Sequence, residues 1–146
     1  MSRRLDVLQA LKVLVQAALP GATVKGLDAD AAKPERIPPG GMVIVRSGDP
    51  GPAAVDLSPL AYNYDHAIPV EVSAYQSSAR TTNEVIDDML TQIGAAIAAD
   101  RTLGGLCNWL DADAPVIDDV TADGSPAGAG ADLVVTASYV TSNPLI

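Results

Sequence analysis

Between Tyr62 and Ala74 the chain alternates between apolar and polar positions, and beyond residue 80 the spacing becomes helical. A period of two is typical of a strand with one buried face. The segment Thr81-Thr82-Asn83-Glu84 has the pattern of a capping box, in which a threonine hydroxyl and the glutamate carboxylate bind backbone N–H groups at the helix start. We therefore predict a long strand followed by a long amphipathic helix ending near Ala99. The apolar side of this helix carries Ile86, Met89, Leu90, Ile93 and Ile97.

The remaining segments complete an α+β pattern. An apolar stripe from Arg3 to Leu19 predicts a first helix, which Pro20-Gly21 ends. Met42 to Arg46 resembles a buried strand, and Leu133 to Thr141 predicts the last strand. Shorter candidates for extended structure are residues 22–25, 55–58 and 114–120. We predict a single domain over residues 1–146, with a mainly antiparallel sheet of about four to five strands packed against two long helices.

Pro69 lies inside the long predicted strand, where it has no N–H to donate to a neighbouring strand. The strand therefore either lies at the edge of the sheet, with the backbone nitrogen of Pro69 facing outward, or contains a bulge. An open edge is an aggregation hazard in a monomer and a natural docking surface in an assembly.

Composition narrows the class of protein. Apolar residues make up 48% of the chain but aromatic residues only 3%, so the core must be built from aliphatic side chains. The net charge of −9 argues against a nucleic-acid-binding surface, which needs clustered Lys and Arg. No apolar run approaches the roughly 18 residues of a membrane span, and the amphipathic N-terminal segment is unlike a signal peptide. We therefore expect a cytosolic protein that does not enter membranes.

Residues that could carry chemistry are few. His66 is the only histidine, and the adjacent Asp65 points to the opposite face of the strand, so the two cannot form a simple dyad. We predict His66 to be a half-buried strand residue. Cys107, the only cysteine, rules out an internal disulfide and has no metal-binding spacing, so it is predicted to be a small hydrophobic residue.

Three acidic pairs could bind Mg²⁺ or act in acid–base catalysis. None has an accompanying His, Lys or glycine-rich loop at an informative spacing, and the helix dipole explains the first pair. The pairs are Asp87-Asp88, Asp111 with Asp113, and Asp118-Asp119. We predict no catalytic residue, no cofactor and no metal site.

Two other features are candidates for contacts with a partner. Trp109, beside Leu110, is either a plug for a loop or the best single anchor for an interface. The proline-rich loop from Lys33 to Gly41 contains Lys33 and Arg36, two of the nine basic residues of an acidic chain. Loops of this length are often functional.

Several phrases together resemble the tail terminator, or tail completion, proteins of long-tailed bacteriophages, prophages and gene-transfer particles. They are the opening helix ending in Ala-Leu-Pro-Gly, the loop Lys33-Pro-Glu-Arg-Ile-Pro-Pro-Gly-Gly, the segment Leu57-Ser-Pro-Leu and the segment Ala99-Asp-Arg-Thr-Leu-Gly-Gly-Leu-Cys. The resemblance covers nearly the whole chain, and the predicted order of elements agrees with it.

The resemblance implies a structural virion protein, not an enzyme. Such proteins form a ring, generally of six subunits, that caps the tail tube, ends its polymerisation and presents a surface to the head connector. The implied partners are further copies of the chain, the tail tube protein and the head–tail connector proteins, with DNA passing through the lumen without sequence-specific binding. The implied location is the head-proximal end of the virion tail, assembled in the bacterial host cytoplasm.

Ring closure needs two different patches on each subunit. We predict that the strand from Tyr62, including Tyr64, supplies one patch and that Lys33 and Arg36 supply another by pairing with acidic groups of a neighbour. An acidic lining of the ring's lumen would repel the phosphates of DNA and so let the DNA slide through without being held. The other hypotheses are a head–tail joining adaptor, a tail tube subunit and a small metal-assisted enzyme.

Overall fold

The computed structural model describes residues 1–27, 37–75, 79–120 and 128–146. Its helices and strands follow one another in the order helix, four strands, helix, three strands. In chain order they are α1 (Arg3–Ala18), β1 (Thr23–Gly26), β2 (Met42–Val45), β3 (Ala54–Leu57), β4 (Leu60–Tyr75), α2 (Thr82–Ala99), β5 (Trp109–Ala112), β6 (Val116–Val120) and β7 (Gly128–Thr141).

Both predicted helices are confirmed. At the start of α1 the Ser2 hydroxyl accepts from the Leu5 N–H at 3.3 Å. At the start of α2 the Thr81 hydroxyl accepts from the Glu84 N–H at 3.3 Å, and the Glu84 carboxylate accepts from the Thr81 N–H at 2.8 Å. These two bonds form the predicted capping box. The bonds that the Glu84 carboxylate accepts from the Thr81 backbone N–H and from the Thr81 hydroxyl lower the pKa of Glu84. The buried side of α2 carries Ile86, Met89, Ile93 and Ile97.

The sheet is built around one long antiparallel pair, β4 and β7. Its register runs from Tyr62 opposite Thr141 to Tyr75 opposite Gly128. Short strands flank this pair: β3 and β2 lie along the outer side of β4, and β5 and β6 along the outer side of β7. Beyond β2, β1 adds a parallel strand. The outer positions of the long strands are therefore each shared by two short strands.

The predicted fold is α+β overall, but its detail was wrong. The sheet is mixed and has seven strands among the described residues, of which 40% are in strands and 27% in helices. It is not a sheet of four to five strands covered by two long helices. Helix α2 lies over β4, β7 and β5, whereas α1 contacts α2 and β1. Four-residue strands such as β5 are too short to show a clear period, and a parallel pairing between β1 and β2 leaves no local signal.

Pro69 does not mark a sheet edge, because β4 has neighbours on both sides. It marks the bulge that was the other interpretation. The Arg46 N–H donates to the Pro69 carbonyl at 2.9 Å, and two residues earlier in β4 Ala67 exchanges both backbone bonds with Asp49 at 3.2 Å. The segment that follows β2 thus places two residues, Ser47 and Gly48, opposite the single residue Ile68 of β4.

The core lies between the sheet and the helices. Alternate residues of β4 from His66 to Ala74 are buried there, together with alternate residues of β7. β2 was predicted to be buried throughout, and all four of its residues are at most 1% exposed. The core face of β4 therefore follows the predicted alternation.

Candidate interaction surfaces

His66 is fully buried, not half-buried, and both ring nitrogens are hydrogen-bonded. Nε2 lies 2.7 Å from the Ser47 carbonyl oxygen, which can only accept, so Nε2 carries the proton. Nδ1 then accepts from the Tyr139 hydroxyl at 3.0 Å. Burial lowers the pKa of His66 and raises that of Tyr139. This pair ties β4 to β7 and to the bulge, and it offers no lone pair to a substrate or metal.

Cys107 is buried, as predicted, and burial raises the pKa of its thiol. Its Sγ lies 3.7 Å from the Arg101 carbonyl oxygen. The neutral thiol therefore acts as a small core group, not as a nucleophile.

Two of the acidic pairs are engaged by basic side chains. Asp88 accepts from Arg80 at 3.4 Å, and Asp111 from Arg101 at 2.9 Å, which lowers the pKa of Asp111. Within the ranges that the structure describes, no three His, Cys, Asp or Glu side chains come together as a metal site.

Trp109 does not plug a loop. It begins the short strand β5 and its side chain is 52% exposed. The Arg101 guanidinium lies 4.9 Å from the ring centroid and also donates to the Leu110 carbonyl and to Asp111, each at 2.9 Å. The indole is thus an exposed aromatic group held by a cation over its face.

The other predicted interface residues lie in different settings. Tyr64 is half-buried, with its ring centroid 5.7 Å from that of Tyr139, and it packs against the core. Tyr62 is half-buried between Val55 and Thr141 in the sheet. Lys33 and Arg36 lie outside the described residues.

Two apolar surfaces were not predicted. The first, which we call the helix groove, is an open depression of about 820 Å³ between α1, the end of α2 and the turn after it. Val13, at 63% exposed, stands on its α1 side, and Leu106 lies on the turn. Asp6, Gln9 and Asp100 supply its polar positions.

The second surface, which we call the hairpin face, is one side of the β3–β4 hairpin. Residues directly opposite each other in an antiparallel pair point to the same side. Val55 opposite Tyr62 and Leu57 opposite Leu60 therefore form one face, the same face of β4 that is buried farther along. Val55 is 47%, Leu57 83% and Leu60 51% exposed.

Both surfaces had a weak signal in the sequence. Val13 is out of phase with the buried residues of α1, which are Val7, Leu8, Leu11 and Val15. Leu57 and Leu60 flank Ser58-Pro59, where a solvent-facing turn would carry polar residues. Single exposed apolar residues are common, so these signals indicate an interaction surface only once the fold brings several of them together.

Comparisons with known proteins add no assignment. No family model matches the chain, and a search of curated proteins finds no match either. Among the described residues, no helix is both long and apolar enough to cross a bilayer. The resemblance to tail terminators therefore stays a prediction.

Proposed function

We propose that this protein is a tail terminator subunit, a structural protein that assembles into a ring on the end of a phage tail tube. The ring, for which the resemblance implies six copies, stops the addition of tube subunits and gives the head connector its attachment surface. Its partners are further copies of the chain, the tube protein and the connector. Its place is the head-proximal end of the tail, assembled in the bacterial host cytoplasm.

The observation that best supports the proposal is the presence of two different exposed apolar surfaces on one small subunit. The hairpin face and the helix groove consist of different residues, so neither is the symmetric copy of the other. Contacts between unlike patches build rings or filaments, whereas a self-complementary patch builds a closed dimer. A ring subunit needs the first kind of surface.

The acidic character of the chain supports the same proposal. A net charge of −9 makes a surface that repels phosphates, and a lumen lined by such a surface lets DNA pass without being held. A solved ring with a basic lumen would remove this support.

The test is electron microscopy of particles from a producer strain in which this gene is deleted. We expect overlong tails without heads, and rescue by the purified protein. The control is complementation by Val116→Ser, which changes a 65% exposed apolar residue outside both surfaces.

The other outcomes distinguish the remaining hypotheses. Tails of normal length without heads indicate a joining adaptor, and a complete loss of tails indicates a tube subunit. Normal infectious particles contradict a role in the tail. Calorimetry with Mg²⁺ on the wild type and on the Asp111→Asn, Asp113→Asn variant then tests the metal-assisted enzyme.

A further inference from the structure

We propose that the hairpin face of one subunit docks into the helix groove of the next copy of the chain. The inference rests on the proposed ring and deepens it, because it names the two surfaces that meet at each subunit boundary. It requires only that copies associate, so it can be tested without a tail.

The hairpin has the shape of an insertable element. The last pair between β4 and β7 is Tyr62 with Thr141, so Leu60, Ala61 and their partners in β3 project past the end of β7. Two strands at about 5 Å spacing make a narrow ridge. The exposed leucines, Leu57 and Leu60, face each other at its tip.

The hairpin is amphipathic, which gives its docking a direction. Its second face carries Ala54, Asp56, Ala61 and Asn63. Asn63 donates from its side-chain amide to Asp56 and to the Ala54 carbonyl, each at 3.0 Å. Only the Val55–Leu57–Leu60 face is apolar, and it continues the core side of β4.

The helix groove has the complementary character. Its apolar wall is formed by Val13, Leu14, Leu103, Leu106 and five alanines, and small side chains leave room for larger ones to enter. The alanines are Ala10, Ala17, Ala18, Ala96 and Ala99. Leucine side chains of the hairpin face would fill the space that these alanines leave.

Charge also matches. Arg3 lies beside Leu60, in a depression that both residues line, and therefore accompanies the hairpin into a contact. The helix groove carries Asp100 at its α2 end, whereas Asp6 lines both the groove and the depression beside Arg3 and Leu60. Asp56, the acidic group of the hairpin, lies on the other face and accepts from Asn63. The proposed contact therefore brings Arg3 of one copy towards Asp100 of the next while the apolar surfaces meet.

The first test uses cross-linking between two single-cysteine proteins of different mass, both in a Cys107→Ala background. One carries Leu57→Cys and the other Val13→Cys, and both are mixed at the highest soluble concentration with a short bismaleimide. We expect the mixed dimer to exceed either same-type dimer by about tenfold. The matched control replaces Leu57→Cys by Val116→Cys, which lies on the opposite face of the sheet.

Two cross-linking outcomes overturn the inference. A predominance of Leu57→Cys dimers means that hairpins pair with each other. Equal yields in the test and control mixtures, including no yield in either, mean that the hairpin does not reach the groove.

A second test uses the unlike nature of the two surfaces. Leu57→Asp blocks the hairpin and Val13→Asp blocks the groove, and each variant alone is expected to associate at least about tenfold more weakly than the wild type. An equimolar mixture retains one intact hairpin–groove pair per dimer, so native mass spectrometry should show mixed dimers but no larger ring. Larger rings in that mixture, or wild-type association of either variant, contradict the proposed contact.

Failure of this inference differs from failure of the proposed function. If mixed cross-links form but tails are normal in the deletion strain, the proposed contact is supported and the proposed role in the tail is wrong. Overlong tails without mixed cross-links leave the tail role standing and remove this contact.

Discussion

The two halves of β4 have the same alternating pattern but different surroundings. In the second half, Ile68, Val70 and Val72 are at most 1% exposed, between α2 on one side and neighbours at both edges. In the first half, the equivalent positions in the hairpin are Leu60 and Tyr62, of which Leu60 is 51% exposed. The same face of one strand is thus core in one half and surface in the other. The alternating pattern predicts which face of the strand is apolar, but it does not predict which element packs on that face.

The largest expected effect is a difference in the free energy of unfolding between substitutions in the two halves of β4. Ile68→Ala leaves a cavity in the covered half and should lower the free energy of unfolding by about 2–5 kcal/mol. Leu57→Ala in the hairpin should change it by less than about 0.5 kcal/mol, because the side chain is exposed in the free subunit. Urea unfolding of the monomer measures both. Similar losses in the two variants would mean that the hairpin face is covered within the subunit.

A smaller effect is expected where the halves meet, at His66. Its pKa is lowered from the ordinary 6.5 by burial, so the unfolded chain binds a proton at a pH where the folded protein does not. Stability is therefore complete above about pH 6.5 and is lost as the pH falls from there towards the lowered pKa. Stability measured between pH 7 and 5 should show this slope in the wild type.

The His66→Leu variant is the control for that slope. It should be flat in the same window and should be about 1–3 kcal/mol less stable at neutral pH, because the Tyr139 hydroxyl and the Ser47 carbonyl lose their partner. A slope that persists in His66→Leu would assign the pH dependence to other groups.

The smallest of these effects concerns helix α2, which packs on the second half of β4. Thr81→Ala removes the capping box of α2, the helix over the second half of β4, and should lower stability by about 1 kcal/mol. Thr91→Ala, at an exposed position inside the same helix, is the matched control. Thermal unfolding should separate the two variants. Equal midpoints would mean that other contacts determine the start of α2.

The sequence predicted those parts of the fold in which neighbouring residues determine the structure. The capping box at Thr81, the buried run of β2 and the core face of β4 follow from residues within one segment. The parallel pairing of β1 with β2 and the four-residue strand at Trp109 depend on partners distant in sequence. Strand number was therefore underestimated.

The candidate surfaces were harder to predict for a related reason. Trp109 was identified, although its Arg101 partner depends on the turn that brings the two together. The helix groove needs α1 and α2 side by side, so Val13 alone could not indicate it. Leu57 and Leu60 belong to a segment that resembles tail terminators, but only the strand register places them on one face.

The bulge opposite Ile68 has a geometric consequence for assembly. It lies between the part of β4 that pairs with β2 and the part that pairs with β3, and a bulge increases local twist. Gly48 in this bulge has φ of +64°, and a Cβ atom on it would lie 2.0 Å from the Ala67 carbonyl oxygen. A larger residue at this position would therefore push the segment away from β4. A change at the bulge is therefore expected to alter the direction of the hairpin relative to the rest of the sheet. In a closed ring the angle between neighbours determines how many subunits complete the circle, so this glycine, remote from both proposed contact surfaces, would control curvature.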